Sequence, residues 1–158
     1  MAHVVVAVDV AGPATDTWDA LVDWPAHGRW VPLTRVRVLT PSPAGVGARF
    51  LGRTGLGPVG FDDPMEVVEW SPPAGGSAGH CTVVKQGRVV LGTARFEVTP
   101  KPAGGCRVTW TYDLEVAPVR LTRPFSRLVG FAAAAGVRGA LRAMAGEVEA
   151  AHGKASGR

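Results

Sequence analysis

The spacing of apolar positions changes character along this chain, and each change marks an element. The opening "HVVVAVDV" is a β-branched run ended by Gly12-Pro13, which reads as a strand. In "PATDTWDALVD" the period becomes helical: Ala14, Trp18, Leu21 and Val22 fall at i, i+4, i+7 and i+8, and Pro13 suits a first turn. Asp23-Trp24-Pro25 stops that helix, because a residue before proline is pushed out of the α region. "PAHGRW" is long enough for one further helical turn, and "LTRVRVLT", with Leu33, Val36 and Val38 among polar residues, predicts a strand.

From there the chain alternates strand and turn. "PSPAGVG" and "LGPVG" are turn clusters on either side of the strand "ARFLGRTG". "MEVVEW" is a strand that ends at the loop "SPPAGGSAG". "HCTVVKQ" and "VVLGTARFEV" are joined at Gly87-Arg88 as a tight hairpin, and "PKPAGG" leads into "CRVTWTYDLEV". That last strand alternates most regularly, with Val108, Trp110, Tyr112 and Leu114 on one face and Arg107, Thr109, Thr111 and Asp113 on the other. Short strands with hairpin-length connections imply an antiparallel meander with one buried face.

From about Leu121 to Ala151 the pattern is a single long helix, with Pro124 near its start, where it is tolerated. Phe125, Val129, Ala133, Val137, Leu141, Met144 and Val148 follow at steps of three or four, and Arg120, Arg127, Arg138 and Arg142 project mostly away from them. At ~1.5 Å per residue such a helix is roughly 40 Å long. These elements predict an α+β fold: a curved antiparallel sheet of about seven strands wrapped around the long C-terminal helix, with two short helices after the first strand. A single domain covers residues 1–152, and residues 153–158 are expected to form a disordered tail. Trp18, Trp24 and Trp30 are six residues apart, which no one regular element places on one face. They are expected to form an aromatic wedge where the helix pair closes the end of the sheet.

This element order, with "PATDTWDALVDWPAHGRWVPL", "GVGARF", "MEVVEWSPP", "FEVTP" and the terminal helix, resembles the SRPBCC superfamily of START-like lipid-binding domains, polyketide cyclases and aromatases, and pathogenesis-related allergens. The likeness runs from Val4 to about Ala150. Trp18 and Trp30 match that group's recurrent aromatics of the helix wedge, and Gly45 and Gly47 match its turn between the second and third strands. The resemblance implies a helix-grip fold, in which the long helix lies across the concave sheet and leaves a largely apolar cavity. The small residues Ala132 to Ala135, Gly136 and Gly139 suit either a cavity or close packing against the sheet.

Composition narrows the partners. The 158 residues are 46% hydrophobic and 19% charged, which fits a globular domain. A net charge of +4 raises nucleic acid, but no Lys/Arg block and no aromatic–basic interleaving accompany it, so nucleic-acid binding is not expected. No apolar run reaches the ~20 residues of a membrane span. The N-terminus lacks the basic n-region of a signal peptide, and Cys81 and Cys106 have no disulfide or metal spacing, so a cytoplasmic location is expected. Oligomeric state is left open.

Chemical motifs are few. "GLGPVG" matches a dinucleotide-binding fingerprint by letter, but no helix follows it, and it reads as a hairpin turn. Asp62-Asp63-Pro64 reads as a turn or bulge. His3, His27, His80 and His152 have no ligand spacing, so neither a metal nor a cofactor is expected. Arg53, His80, Lys85, Arg95 and Tyr112 are polar strand residues able to face a cavity. Tyr112 shares parity with Trp110 and is either a ligand contact or a core tyrosine.

Two functions of the interior follow, beside a third class in which the arginine-bearing face of the long helix, with Arg138 and Arg142, acts as a protein-interaction surface or is simply a solvated face. The first is a binding protein for a small hydrophobic molecule, a lipid, polyketide or isoprenoid-like compound. Its walls would be Trp30, Phe96, Trp110, Phe125, Val129, Ala133 and Val137, with Tyr112 and Arg53 as polar contacts. The second is an enzyme of the polyketide cyclase or aromatase type, which would fold a poly-ketone in the same cavity with Tyr112, His80 or Arg53 as acid-base or carbonyl-polarising groups. The residues show no persuasive acid-base pair, which leaves enzymatic activity undecided.

Overall fold

The computed structural model describes residues 2–157. Strand β1 (Ala2–Val10) is followed by helix α1 (Ala14–Val22), a 3-10 turn at Trp24–Ala26 and the single turn α2 (His27–Trp30). Six strands come next: β2 (Thr34–Val38), β3 (Arg49–Leu56), β4 (Val59–Ser71), β5 (Gly79–Gln86), β6 (Val90–Pro100) and β7 (Cys106–Val116). A short helix α3 (Val119–Thr122) and a 3-10 turn at Arg123–Phe125 lead into helix α4 (Ser126–Ser156). The strands form one seven-stranded sheet in the order β1-β7-β6-β5-β4-β3-β2, antiparallel throughout. This is the expected α+β helix-grip arrangement.

Alternation builds the core. Val4, Val6 and Val10 of β1, Cys81 and Val83 of β5, Phe96 and Val98 of β6, and Val108 of β7 all turn inward and are buried. Leu141, Met144 and Val148 of α4 close over them. Burying side chains of this size contributes roughly 1.5–3 kcal/mol each. A bulge between Val67 and Glu69 shifts the parity of β4, so that Trp70 joins Val67 on the inner face and meets the Trp18 ring edge-on at 5.2 Å.

The tryptophan spacing is resolved by three different roles. Trp18 packs over Phe96, with ring centroids 5.5 Å apart. Trp24 stacks on Phe50 at 4.2 Å and donates from its indole to the Pro43 carbonyl at 2.8 Å. Trp30 ends α2 and faces His27, with ring centroids 5.2 Å apart.

Several local expectations change. Asp62-Asp63-Pro64 is strand rather than turn. It lies within β4, with Asp62 opposite Arg53 and Asp63 opposite Gly52. Pro64 is accommodated because pairing with β5 starts only at Met65, so its missing N–H falls outside that ladder. The β5–β6 connection, Gly87 to Val89, is a residue longer than the two expected. "GLGPVG" is indeed a hairpin turn: Gly57 has φ +55° and precedes a proline, as in a two-residue turn of the II′ kind. Gly45 and Gly47, at φ +90° and +88°, lie in the β2–β3 turn. Helix α4 continues to Ser156 instead of fraying after residue 152.

Helix α4 also departs from the expectation that nothing matches a membrane span. It is long and apolar enough by length and composition, and only 17% of its most apolar window is buried. Its second half packs into the core. At its other end Phe125, just before the first turn, and Leu128 and Phe131 within the first half are 61%, 65% and 75% exposed.

Candidate functional site

Between α2, β7 and the middle of α4 lies a cavity of ≈ 240 Å³. Its floor is Leu21, Trp110 and Tyr112, its walls are His27 and Trp30, and Ala133, Gly136, Val137 and Ala140 form its helical side. The small residues of α4 therefore leave room here instead of closing on the sheet. Val31 and Pro32, in the loop before β2, stand at its edge. This loop turns at Leu33, a left-handed residue at φ +59°.

A second lobe of ≈ 140 Å³ shares His27, Val31, Trp110 and Tyr112 with the first and extends over β3 to β6. This lobe is polar at one end. Alternation along β5 turns Lys85 inward with Cys81 and Val83, and alternation along β4 turns Asp63 inward with Met65 and Val67. Their side chains are only 7% and 12% exposed, and the Lys85 ammonium hydrogen-bonds Asp63 Oδ2. It also lies 3.5 Å from Met65 Sδ and 5.8 Å from the centre of the Tyr112 ring. Taking both charges out of water costs several kcal/mol per ion, about what a well-made pair recovers. Asp63 Oδ1 and Trp110 Nε1 are buried and have no hydrogen-bond partner among the described residues. The Thr34 and Thr54 hydroxyls, 2.8 Å apart, add a polar contact.

His27 sits where the two lobes join. Its Nε2 is 2.7 Å from the Leu21 carbonyl, which can only accept, so the ring carries its proton there. Burial among Trp24, Trp30 and Trp110 lowers its pKa below the usual histidine value, so the ring is neutral near pH 7 and offers Nδ1 as an acceptor. A carboxylate, an ammonium, a phenol and a neutral imidazole thus line two adjoining cavities that share His27, Val31, Trp110 and Tyr112. Together they can accept a proton or hydrogen bond from a ligand and donate one to a carbonyl oxygen. The ion pair is formally neutral, so its ligand needs no charge. Among the described residues no cluster of His, Cys, Asp or Glu could hold a metal ion.

The sequence-derived candidates divide cleanly. Trp30, Trp110, Tyr112, Ala133 and Val137 line the cavity. Phe96 does not: it is fully buried beneath Trp110, with ring centroids 5.3 Å apart, and supports that ring. Val129 borders a separate crevice with Ala2, Leu114 and Val116. Phe125 is exposed and lines neither cavity. Arg53 is on the outer face, bonded to Asp62 at 3.0 Å, because Phe50, Gly52 and Thr54 take the inward parity of β3. His80 is outward on β5, opposite Ser71 and Glu97. Arg95 is outward on β6, bonded to Glu69 at 2.7 Å. The residues missed are His27 and Asp63. Asp63 shares strict alternation with Met65 and Val67, a signal present in the sequence; His27 has none, since only the reversal of chain after α1 brings it inward.

Solved structures with the same architecture span almost the whole chain. An aromatase/cyclase from Streptomyces sp. R1128 has a TM-score of 0.68 at 18% identity, covering 93% of both chains. A protein from Thermus thermophilus has a TM-score of 0.74 at 15% identity, over 94% of this chain and 98% of its own. A norcoclaurine synthase from Thalictrum has a TM-score of 0.59 at 15% identity, over 92% and 94%. At these identities the likeness is one of fold. Among curated protein sequences there is no match. The family model described as polyketide cyclase / dehydrase and lipid transport matches residues 1–153, and the chain belongs to that family.

Proposed function

We propose that this protein binds a small, largely hydrophobic molecule in the two-lobed cavity, its polar end seated against Asp63, Lys85 and Tyr112. The observation that carries this reading is the buried Lys85–Asp63 pair at the end of a largely apolar space. An apolar pocket with a few convergent polar groups is the usual form of a small-molecule site. Family membership supports a ligand-binding or cyclase role. Two unpaired, buried thiols accord with work in a reducing compartment, the cytoplasm. Native mass spectrometry of freshly purified protein tests the reading, with Val137→Trp as the cavity-filling control. A co-purifying mass in the parent, absent from the variant, is expected. An empty parent that takes up none of a panel of polyketide, isoprenoid and acyl probes would sink it.

A second reading, cyclisation of a poly-ketone, is favoured by one specific observation: Asp63, Lys85 and Tyr112 line the same lobe. A carboxylate can take a proton from carbon between two carbonyls, and the resulting enolate carbon attacks a second carbonyl in the folded chain. The oxygen of that carbonyl then receives a proton from the ammonium or the phenol. The aromatase/cyclase from Streptomyces, with its shared fold, lends this reading analogy alone. Loss of one ionisation from the pH–rate profile in Tyr112→Phe supports it; ligand binding with no turnover counts against it.

A further inference from the structure

The first half of α4 has an outer face that none of the described residues covers. Counting ~100° per residue, Leu128 and Ala135 lie opposite the side that carries Val137, Leu141 and Met144 into the core, and Phe131 lies on the flank between, about 80–140° from those three. Leu128 and Phe131 are 65% and 75% exposed, and the face continues across an open groove to Val5 of the edge strand β1, itself 53% exposed. Arginine flanks it. Between Glu115 and Glu147 the chain holds no acidic residue and five arginines, at 120, 123, 127, 138 and 142, more than the whole net charge of +4. Arg120, Arg127, Arg138 and Arg142 are exposed. On the helix wheel, Arg127 and Arg138 border the apolar ridge on the Phe131 side, and Arg142 falls in line with it, between Phe131 and Ala135. Across the groove the nearest strand offers His3, held to Asp113 at 2.6 Å.

We propose that this face docks on an anionic membrane surface, with α4 lying in the interfacial plane. A helix with protruding Leu and Phe beside a row of arginines suits the boundary between lipid headgroups and acyl chains. A spanning role does not suit it, because the opposite side of α4 is committed to the sheet. A second copy of the chain fits less well, since a two-fold contact would set arginine borders together without an acidic partner. Nucleic acid would meet the arginines but leave Leu128 and Phe131 unsatisfied. The proposal stands apart from the cavity reading and survives its failure.

The test is co-sedimentation of the full chain with phosphatidylglycerol/phosphatidylcholine vesicles and with pure phosphatidylcholine vesicles, at low and high salt. Binding to the anionic vesicles that weakens with salt is expected, with little binding to the zwitterionic ones. Leu128→Ser/Phe131→Ser should weaken it by about tenfold or more, as burial of two large apolar side chains requires. Arg127→Glu and Arg138→Glu should each weaken it by at least about fivefold, the factor for one basic residue near an anionic surface. Both sites are exposed, so thermal melts of the variants should match the parent. The proposal is overturned by absence of binding to anionic vesicles at low salt, or by serine-pair binding equal to the parent. It is equally overturned if the parent binds no vesicle but self-associates through this face, or binds an oligonucleotide with or without the serine pair.

Discussion

Removing either member of the Lys85–Asp63 pair strands the other charge in an apolar space, whereas removing both does not. The pair sits with side chains 7% and 12% exposed, Lys85 beside Met65 and Tyr112, with Asp63 Oδ1 unpartnered. For a pair this deep, Lys85→Met alone or Asp63→Val alone should cost about 3–5 kcal/mol. The double variant, filling the lobe with apolar atoms, should be neutral or more stable by about 1–4 kcal/mol. Urea unfolding followed by tryptophan fluorescence reads this directly. With an m-value of about 2 kcal/mol/M, each single variant should lower the midpoint by about 1.5–2.5 M. The double variant should be stable yet retain no ligand. Single-variant costs near 1 kcal/mol that simply add would refute the picture of a dry, coupled pair.

Three further outcomes follow. His27, its pKa lowered by burial, favours folding above its unfolded value of ~6.5; that stability should be lost as pH falls from there through the folded pKa, and His27→Gln should flatten the loss in acid melts. Burial pushes the Cys81 thiol up to about 12 and raises that of Cys106, so an aromatic disulfide reagent at mildly alkaline pH should label neither until urea is added. Leu33 holds a left-handed conformation at 58% exposure, so Leu33→Gly should leave stability unchanged or raise it by up to about 1 kcal/mol in thermal melts.

The parts of the fold that were legible are those where burial is one-sided. β7 announced its inner face because Val108, Trp110, Tyr112 and Leu114 alternate against threonine, arginine and aspartate. Arg53 misled because Gly52 removes the side chain that would mark parity, leaving Leu51 as the apparent partner. The stripe from Phe125 misled through geometry: Phe125 falls in the 3-10 turn before α4, and within the helix every four-residue step drifts by about 40°, which carries Val129 off the side that Val137 occupies. Lys85 was readable from the parity of Cys81 and Val83, but its partner Asp63 lay behind a proline that ordinarily argues against a strand. His27 owes its place to tertiary packing among tryptophans, which no spacing records.

The register that joins the first strand to the last has a cost in time. Val10 pairs with Cys106, almost a hundred residues later. At roughly 5–20 residues per second of synthesis, "HVVVAVDV" leaves the ribosome roughly 5–20 s before its partner exists. Through that interval a β-prone, apolar segment has no edge to join, and the helix that will also cover it is made later still. Folding should therefore be slow and dominated by non-local closure, and the nascent chain, rather than the finished protein, should be the species most exposed to aggregation and most dependent on chaperones.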